Sequence, residues 1–155
     1  MSTRAAAHSA LRGGLRPICV DHFGDVDLQS AARVVTVPAY PTGLLTAVEM
    51  LPAAPWMYTG GLENHPPIVA GISARRTLLG NGVDVLTRVR NPWWLAAQLQ
   101  GAGLPALPVW PPDADPPPRD AMWVCKPRRG AGGRGIRIWE GSSPAPHEPV
   151  WFQRR

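Results

Sequence analysis

Nineteen prolines and sixteen glycines lie between short apolar segments of this 155-residue chain and are not gathered into one low-complexity block. Proline fixes φ and removes a donor, and glycine admits left-handed backbone, so the chain has to be read as a series of short elements. With 45% apolar residues it can still bury a core, enough for one ordinary domain or two small lobes. Only residues 111–119, rich in proline, read as an unstructured surface connection.

Ala7, Ala10, Leu11 and Leu15 recur at helical spacing and predict a helix over residues 4–15, with Gly13 and Gly14 as its stop. Residues 17–21 then read as a buried strand ending in Asp21, residues 27–32 as a short helix, and the β-branched run 33–37 as a second strand. Thr42 could cap a helix over 43–50. Residues 56–59 predict a third strand running into Gly60 and Gly61, followed by a helix over 66–75. Helices and strands alternating at this pitch argue for an α/β fold with a parallel sheet.

A lobe boundary falls between residues 80 and 90, giving units 1–82 and 83–155. The segment 91–103 is the clearest helix, with Asn91 as cap, Pro92 at the first helical position, Leu95, Leu99 and Ala102 on one face, and Gly103 as stop. Residues 104–110 read as extended. Residues 122–126 and 136–139 predict an antiparallel hairpin with a large glycine-rich tip, and 149–153 a last strand.

The net charge of +5 is unevenly placed. Residues 1–120 balance nine arginines against nine acids, whereas 121–155 set seven basic residues against Glu140 and Glu148, so an anionic ligand belongs to the last segment. Lys126 is the only lysine beside fifteen arginines. Cys19 and Cys125 sit in apolar runs without zinc-type spacing and read as buried free thiols of a reducing compartment, the alternative being a disulfide. His8, His22, His65 and His147 share no ligand spacing. No signal-peptide core or membrane-length apolar run occurs, which predicts a cytoplasmic protein with no membrane partner.

A polyphosphate needs cations and N–H donors near its oxygens, and glycines let the backbone approach them. Lys126, at the end of a strand and ahead of Gly130, Gly132, Gly133 and Gly135, has those parts. It is no Walker loop, because the lysine precedes the glycines and a strand follows them. The run Val124-Cys125-Lys126-Pro127, the glycine loop, and the helix and Gly103-Leu104-Pro105 strand upstream resemble the ATP-grasp superfamily.

That resemblance implies a Rossmann-like pre-ATP-grasp domain over 1–82 and, over 83–155, a small α+β lobe that opens the ATP-grasp domain. It implies that Lys126 binds phosphate, that the four glycines form a flap, and that Arg128 and Arg129 neutralise charge; Arg90, beside Asn91 where relatives place a basic residue at the start of the helix, would also touch phosphate. Gln153 would stand on the strand leading to the adenine-holding hinge, with Arg154 where the family often places an acid. The cofactors implied are ATP and Mg²⁺. The metal ligands belong to a carboxy-terminal half expected beyond Arg155, and a first central strand is expected before Ser2, so catalysis is not expected of this chain alone. The whole enzyme would activate a small carboxylate as an acylphosphate for attack by an amine. Glu63 and His65, after a strand end, would be substrate contacts or, more blandly, turn residues.

A competing reading of residues 130–135 is an ordinary exposed hairpin tip, and of residues 128–137 an arginine-rich nucleic-acid segment, to which the seven tryptophans and a pI near 10.2 would lend themselves. Against nucleic acid, the arginines sit inside apolar strands and the tryptophans read as packing residues. A non-catalytic folded remnant or subunit is the remaining alternative.

Overall fold

A computed structural model of the chain describes residues 2–120, 122–141 and 149–155; His147 and Glu148 lie outside them. The chain divides into two compact units, Met1–Val83 and Asp84–Arg155. Among the described residues no helix is long and apolar enough to cross a membrane.

The first unit is built on a parallel pair, β1 (Ile18–Asp21) and β2 (Arg33–Thr36), in the register Ile18↔Arg33 to Asp21↔Thr36. Helix α1 (Arg4–Arg12) precedes β1, and α2 (Val26–Ala31) makes the crossover to β2. Ala7, Cys19 and Leu28 are buried together, with Ala32 and Val34 packed against them. The first helix stops short of Leu15 because Gly14 turns left-handed at φ 75°. Helices α3 (Gly43–Glu49) and α4 (Pro66–Ser73) follow, α4 burying Val69 and Ile72. Thr42 does not cap α3: its backbone is already helical and its hydroxyl donates back to the Ala39 carbonyl.

The third strand expected at residues 56–59 is a single parallel bridge, Trp56↔Leu78, made by Trp56 N–H to the Thr77 carbonyl and Leu79 N–H to the Trp56 carbonyl. Pro55 before it has no N–H to extend a ladder.

Asp21, 2% exposed at the end of β1, ties the unit together. One carboxylate oxygen accepts from Thr3 N at 2.5 Å and Thr3 Oγ1 at 3.0 Å, the other from Phe23 N at 2.8 Å and Gly24 N at 3.0 Å. Burial by itself would raise the carboxyl pKa, but the donors from Gly24, Thr3 and Phe23 outweigh it and hold the group below its ordinary value.

Helix α5 (Val83–Val89) occupies the stretch expected to be a lobe connection, with Leu86 buried and Arg88 3.8 Å from Asp84 one turn back. The second unit continues with α6 (Pro92–Gly101), where the Asn91 side chain accepts from the backbone N–H of both Trp93 and Trp94 at 3.1 Å, the cap its sequence announces. Strands β3 (Trp123–Pro127), β4 (Arg137–Ile138) and β5 (Val150–Arg154) form an antiparallel sheet in the order β4-β3-β5. The extended segment before them adds to the outer edge of β5 through Trp110 N–H to the Phe152 carbonyl and Arg154 N–H to the Pro108 carbonyl.

Trp123, Cys125 and Trp139 form the core of this unit, with Trp110, Val150 and Phe152 against it. Two edge-to-face pairs, Trp110–Trp123 at 4.9 Å and Trp139–Phe152 at 5.0 Å between centroids, fill it. The indole N–H groups of Trp110 and Trp139 donate to the Asp115 and Pro117 carbonyls, so the proline-rich connection is fastened to the core and Pro117 is buried. Both cysteines are free and buried, and burial raises the pKa of both thiols.

Asp21→Asn is expected to cost about 2 kcal/mol at neutral pH, because an amide nitrogen would confront the donors it now satisfies. The folded-state pKa lies below the unfolded one, so this stabilisation is complete above the unfolded carboxylate range and is lost as pH falls through the folded value. Urea unfolding of wild type and D21N should therefore show a gap that narrows in acid.

Candidate nucleotide site

The geometry of the candidate site follows from the pleat of β3. Alternation sends Trp123 and Cys125 into the core and leaves Lys126 half-buried on the other face. There Lys126 stands opposite Trp151 on β5. Its Nζ donates to the Gln153 side-chain oxygen and lies 5.1 Å from the centroid of the Trp151 ring.

Lys126 borders a cleft of about 430 Å³ that lies within the second unit. Leu95, Ala96 and Leu99 of α6 and the extended Pro105–Val109 segment give it an apolar wall. Leu95 and Leu99, which spacing places on one face of α6, therefore line a cavity, and Pro92 is the buried residue of that helix. Arg90, Lys126, Arg128 and Arg134 supply four cations to the lining, which among the described residues contains no carboxylate.

The loop after β3 owes its glycines first to its own turns. Gly132 and Gly133 both have positive φ, 63° and 75°, inside a turn closed by Arg134 N–H to the Ala131 carbonyl at 3.3 Å, the dihedral pattern of a type I′ turn. Gly135, at φ 76°, brings its Cα so close to Pro127 that an added Cβ would sit 2.9 Å from the proline Cγ.

Of the residues proposed from sequence, Lys126, Arg128, Gly130, Gly132, Gly133, Arg90 and Gln153 all line this one cleft. Arg90 also donates to the Arg128 carbonyl at 3.3 Å. Arg129 is exposed and, like Gly135, is not part of the lining. Glu63 lies in a 3₁₀ turn, Leu62–Asn64, of the first unit, and His65 follows it, its ring edge-to-face with Tyr40 at 5.9 Å. Burial, with the Glu63 charge added, raises the pKa of the Tyr40 and Tyr58 hydroxyls.

Three side chains at the cleft were not anticipated. Arg134 lines it, Trp151 carries Lys126, and the Trp93 ring lies 4.9 Å from the Arg128 guanidinium. Pairing residue 126 with the last strand would have found Trp151, but that pairing is not readable from the strand patterns alone.

No protein-family model matches the chain, and no curated protein matches it in sequence. Among solved structures the fold is similar to part of a ribonucleotide synthetase and of biotin carboxylases, and the α/β expectation holds. N5-carboxyaminoimidazole ribonucleotide synthetase from Thermus thermophilus superposes with a TM-score of 0.68 at 18% identity, over 98% of this chain and 44% of its own. A biotin carboxylase from Campylobacter jejuni, in a complex with beta-gamma-ATP, gives 0.65 at 16% identity, over 99% of this chain and 42% of its own. The biotin carboxylase domain of 2-oxoglutarate carboxylase from Hydrogenobacter thermophilus, crystallised with MgADP, ADP and bicarbonate, gives 0.63 at 14% identity, over 88% of this chain and 34% of its own. The chain thus spans less than half the length of each, and at these identities the likeness is one of fold.

Gly135→Ala should destabilise the hairpin by about 1–2 kcal/mol from its left-handed backbone, with the Pro127 contact adding to it. Gly130→Ala, whose Cβ would meet nothing nearer than 3.7 Å, should stay within about 0.5 kcal/mol of wild type. Thermal unfolding of the two variants side by side measures the difference.

Proposed function

We propose that this chain is the ATP-binding front of an ATP-grasp ligase, with residues 1–82 as its pre-ATP-grasp domain and 83–155 as the first lobe of its ATP-grasp domain. The observation that carries the reading is the cleft. Four cations and a glycine loop surround it, an apolar wall backs it, and among the described residues no carboxylate enters it. A nucleoside triphosphate matches both halves, its ring suited to the apolar wall and its phosphates to the cations.

Within that reading Lys126 and Arg128 take the phosphate oxygens, with Arg90, Arg129 and Arg134 adding positive charge. Gly130, Gly132, Gly133 and Gly135 let the flap lie over the phosphates and exclude water, and Gln153 contacts the base end. ATP supplies the γ-phosphoryl group that turns a small carboxylate into an acylphosphate for an amine to attack. Glu63 and His65 of the first unit are the proposed contacts for those substrates.

Mg²⁺ does not fit the residues present. Among the described residues no three His, Cys, Asp or Glu side chains gather, and the cleft offers no carboxylate, so no step is assigned to a metal here.

The test is calorimetric titration of the 155-residue chain with ATP. Lys126→Ala removes one charge-assisted contact and should weaken binding roughly 10- to 100-fold. Equal affinity of wild type and K126A would overturn the reading.

A further inference from the structure

The cations of the cleft raise a physical problem that their contacts resolve. A lysine on a four-carbon stem has to be held in place to grip a ligand, yet the usual holder, a carboxylate, would cancel the charge that a phosphate needs. Among the described residues no carboxylate lies within salt-bridge distance of Lys126 or Arg128. The contacts that fix Lys126 are neutral: the Gln153 amide oxygen and the face of Trp151. Arg128 repeats the device, over the Trp93 ring, which is itself oriented by its indole N–H donating to the Trp110 carbonyl at 2.6 Å.

We infer that Trp151 and Gln153 are positioning residues that hold the Lys126 ammonium in place for polyphosphate without neutralising it. The inference rests on the nucleotide reading above and adds to it the means by which the cation is presented. An ammonium group has three donors. One goes to Gln153, whose amide must turn its oxygen toward a group that can only donate, and the others remain for the ligand. The ring quadrupole of Trp151 attracts the cation without supplying a counter-charge. Strand pairing fixes the arrangement, since Trp151 lies opposite Lys126 and Gln153 opposite Val124, both on β5. Glutamate at 153 would keep the geometry and remove the net charge.

The single lysine of the chain makes the arrangement directly observable. In protein labelled with ¹³C,¹⁵N-lysine, one side-chain spin system reports Lys126, and the Trp151 ring current should move its ε-methylene protons upfield. Trp151→Leu should abolish that shift and weaken both ATP and inorganic triphosphate by roughly threefold to tenfold. Trp151→Phe should restore most of both. Gln153→Glu, a polar exchange that keeps the fold, should weaken triphosphate binding, more so at low salt than at high.

A wild-type spectrum without the upfield shift overturns the inference, as does equal triphosphate affinity in wild type, W151L and Q153E. In that last case ATP binding by the wild type leaves the nucleotide reading standing. A shifted Lys126 signal in a chain that binds neither ATP nor triphosphate overturns the nucleotide reading, and the proposed role with it.

Discussion

The antiparallel register between β3 and β5 is the constraint on which the second unit depends. It pairs Cys125 with Phe152 and Lys126 with Trp151, so the same five-residue strand contributes to the aromatic core on one face and to the cleft on the other. A slip of one residue would exchange the faces, burying an ammonium among tryptophans and exposing a thiol from the core. The price of such a slip is a buried charge, which makes the register self-specifying. The edge-to-face pairs Trp110–Trp123 and Trp139–Phe152 work in the same direction, because each fixes a side chain that only this register brings inward.

The tryptophans also explain how a proline-rich stretch becomes part of a folded unit. Prolines 111, 112, 116, 117 and 118 leave few N–H groups to join a sheet, but every one of those residues keeps a carbonyl. The indoles of Trp110 and Trp139 use the carbonyls of Asp115 and Pro117, and the second of these bonds satisfies a buried donor. Reading residues 111–119 as an unstructured connection counted the missing donors and overlooked the acceptors.

Much of the fold is legible in sequence for local reasons. Asn91 followed by Pro92 announces α6, and the β-branched run at 33–36 announces β2, because capping and branching act within a few residues. What was not legible depends on partners far away in the chain. Trp56 looks like a strand but finds one bridge at Leu78. Leu95 and Leu99 share an apolar face of α6 that lines a cleft, and periodicity reports such a face but not what it faces. For the candidate site, charge asymmetry and the lone lysine pointed to the segment that borders the cationic cleft, and seven of the proposed residues line it. Arg134 and the two tryptophans under the cations required tertiary pairing to see.

The glycine loop serves two demands that are usually set against each other. Its turns need left-handed residues at 132, 133 and 135, which any β-branched side chain would resist, so the glycines are structurally required before any ligand is considered. The two tip positions nevertheless have open space around the missing Cβ, whereas Gly135 is pressed against Pro127. The loop is therefore tightly closed at its base and unencumbered at its tip. A backbone so arranged can bring amide donors toward an anion at the tip without disturbing the strand that carries Lys126. Close packing at the base and open space at the tip are obtained from one residue type, by the difference in what surrounds it.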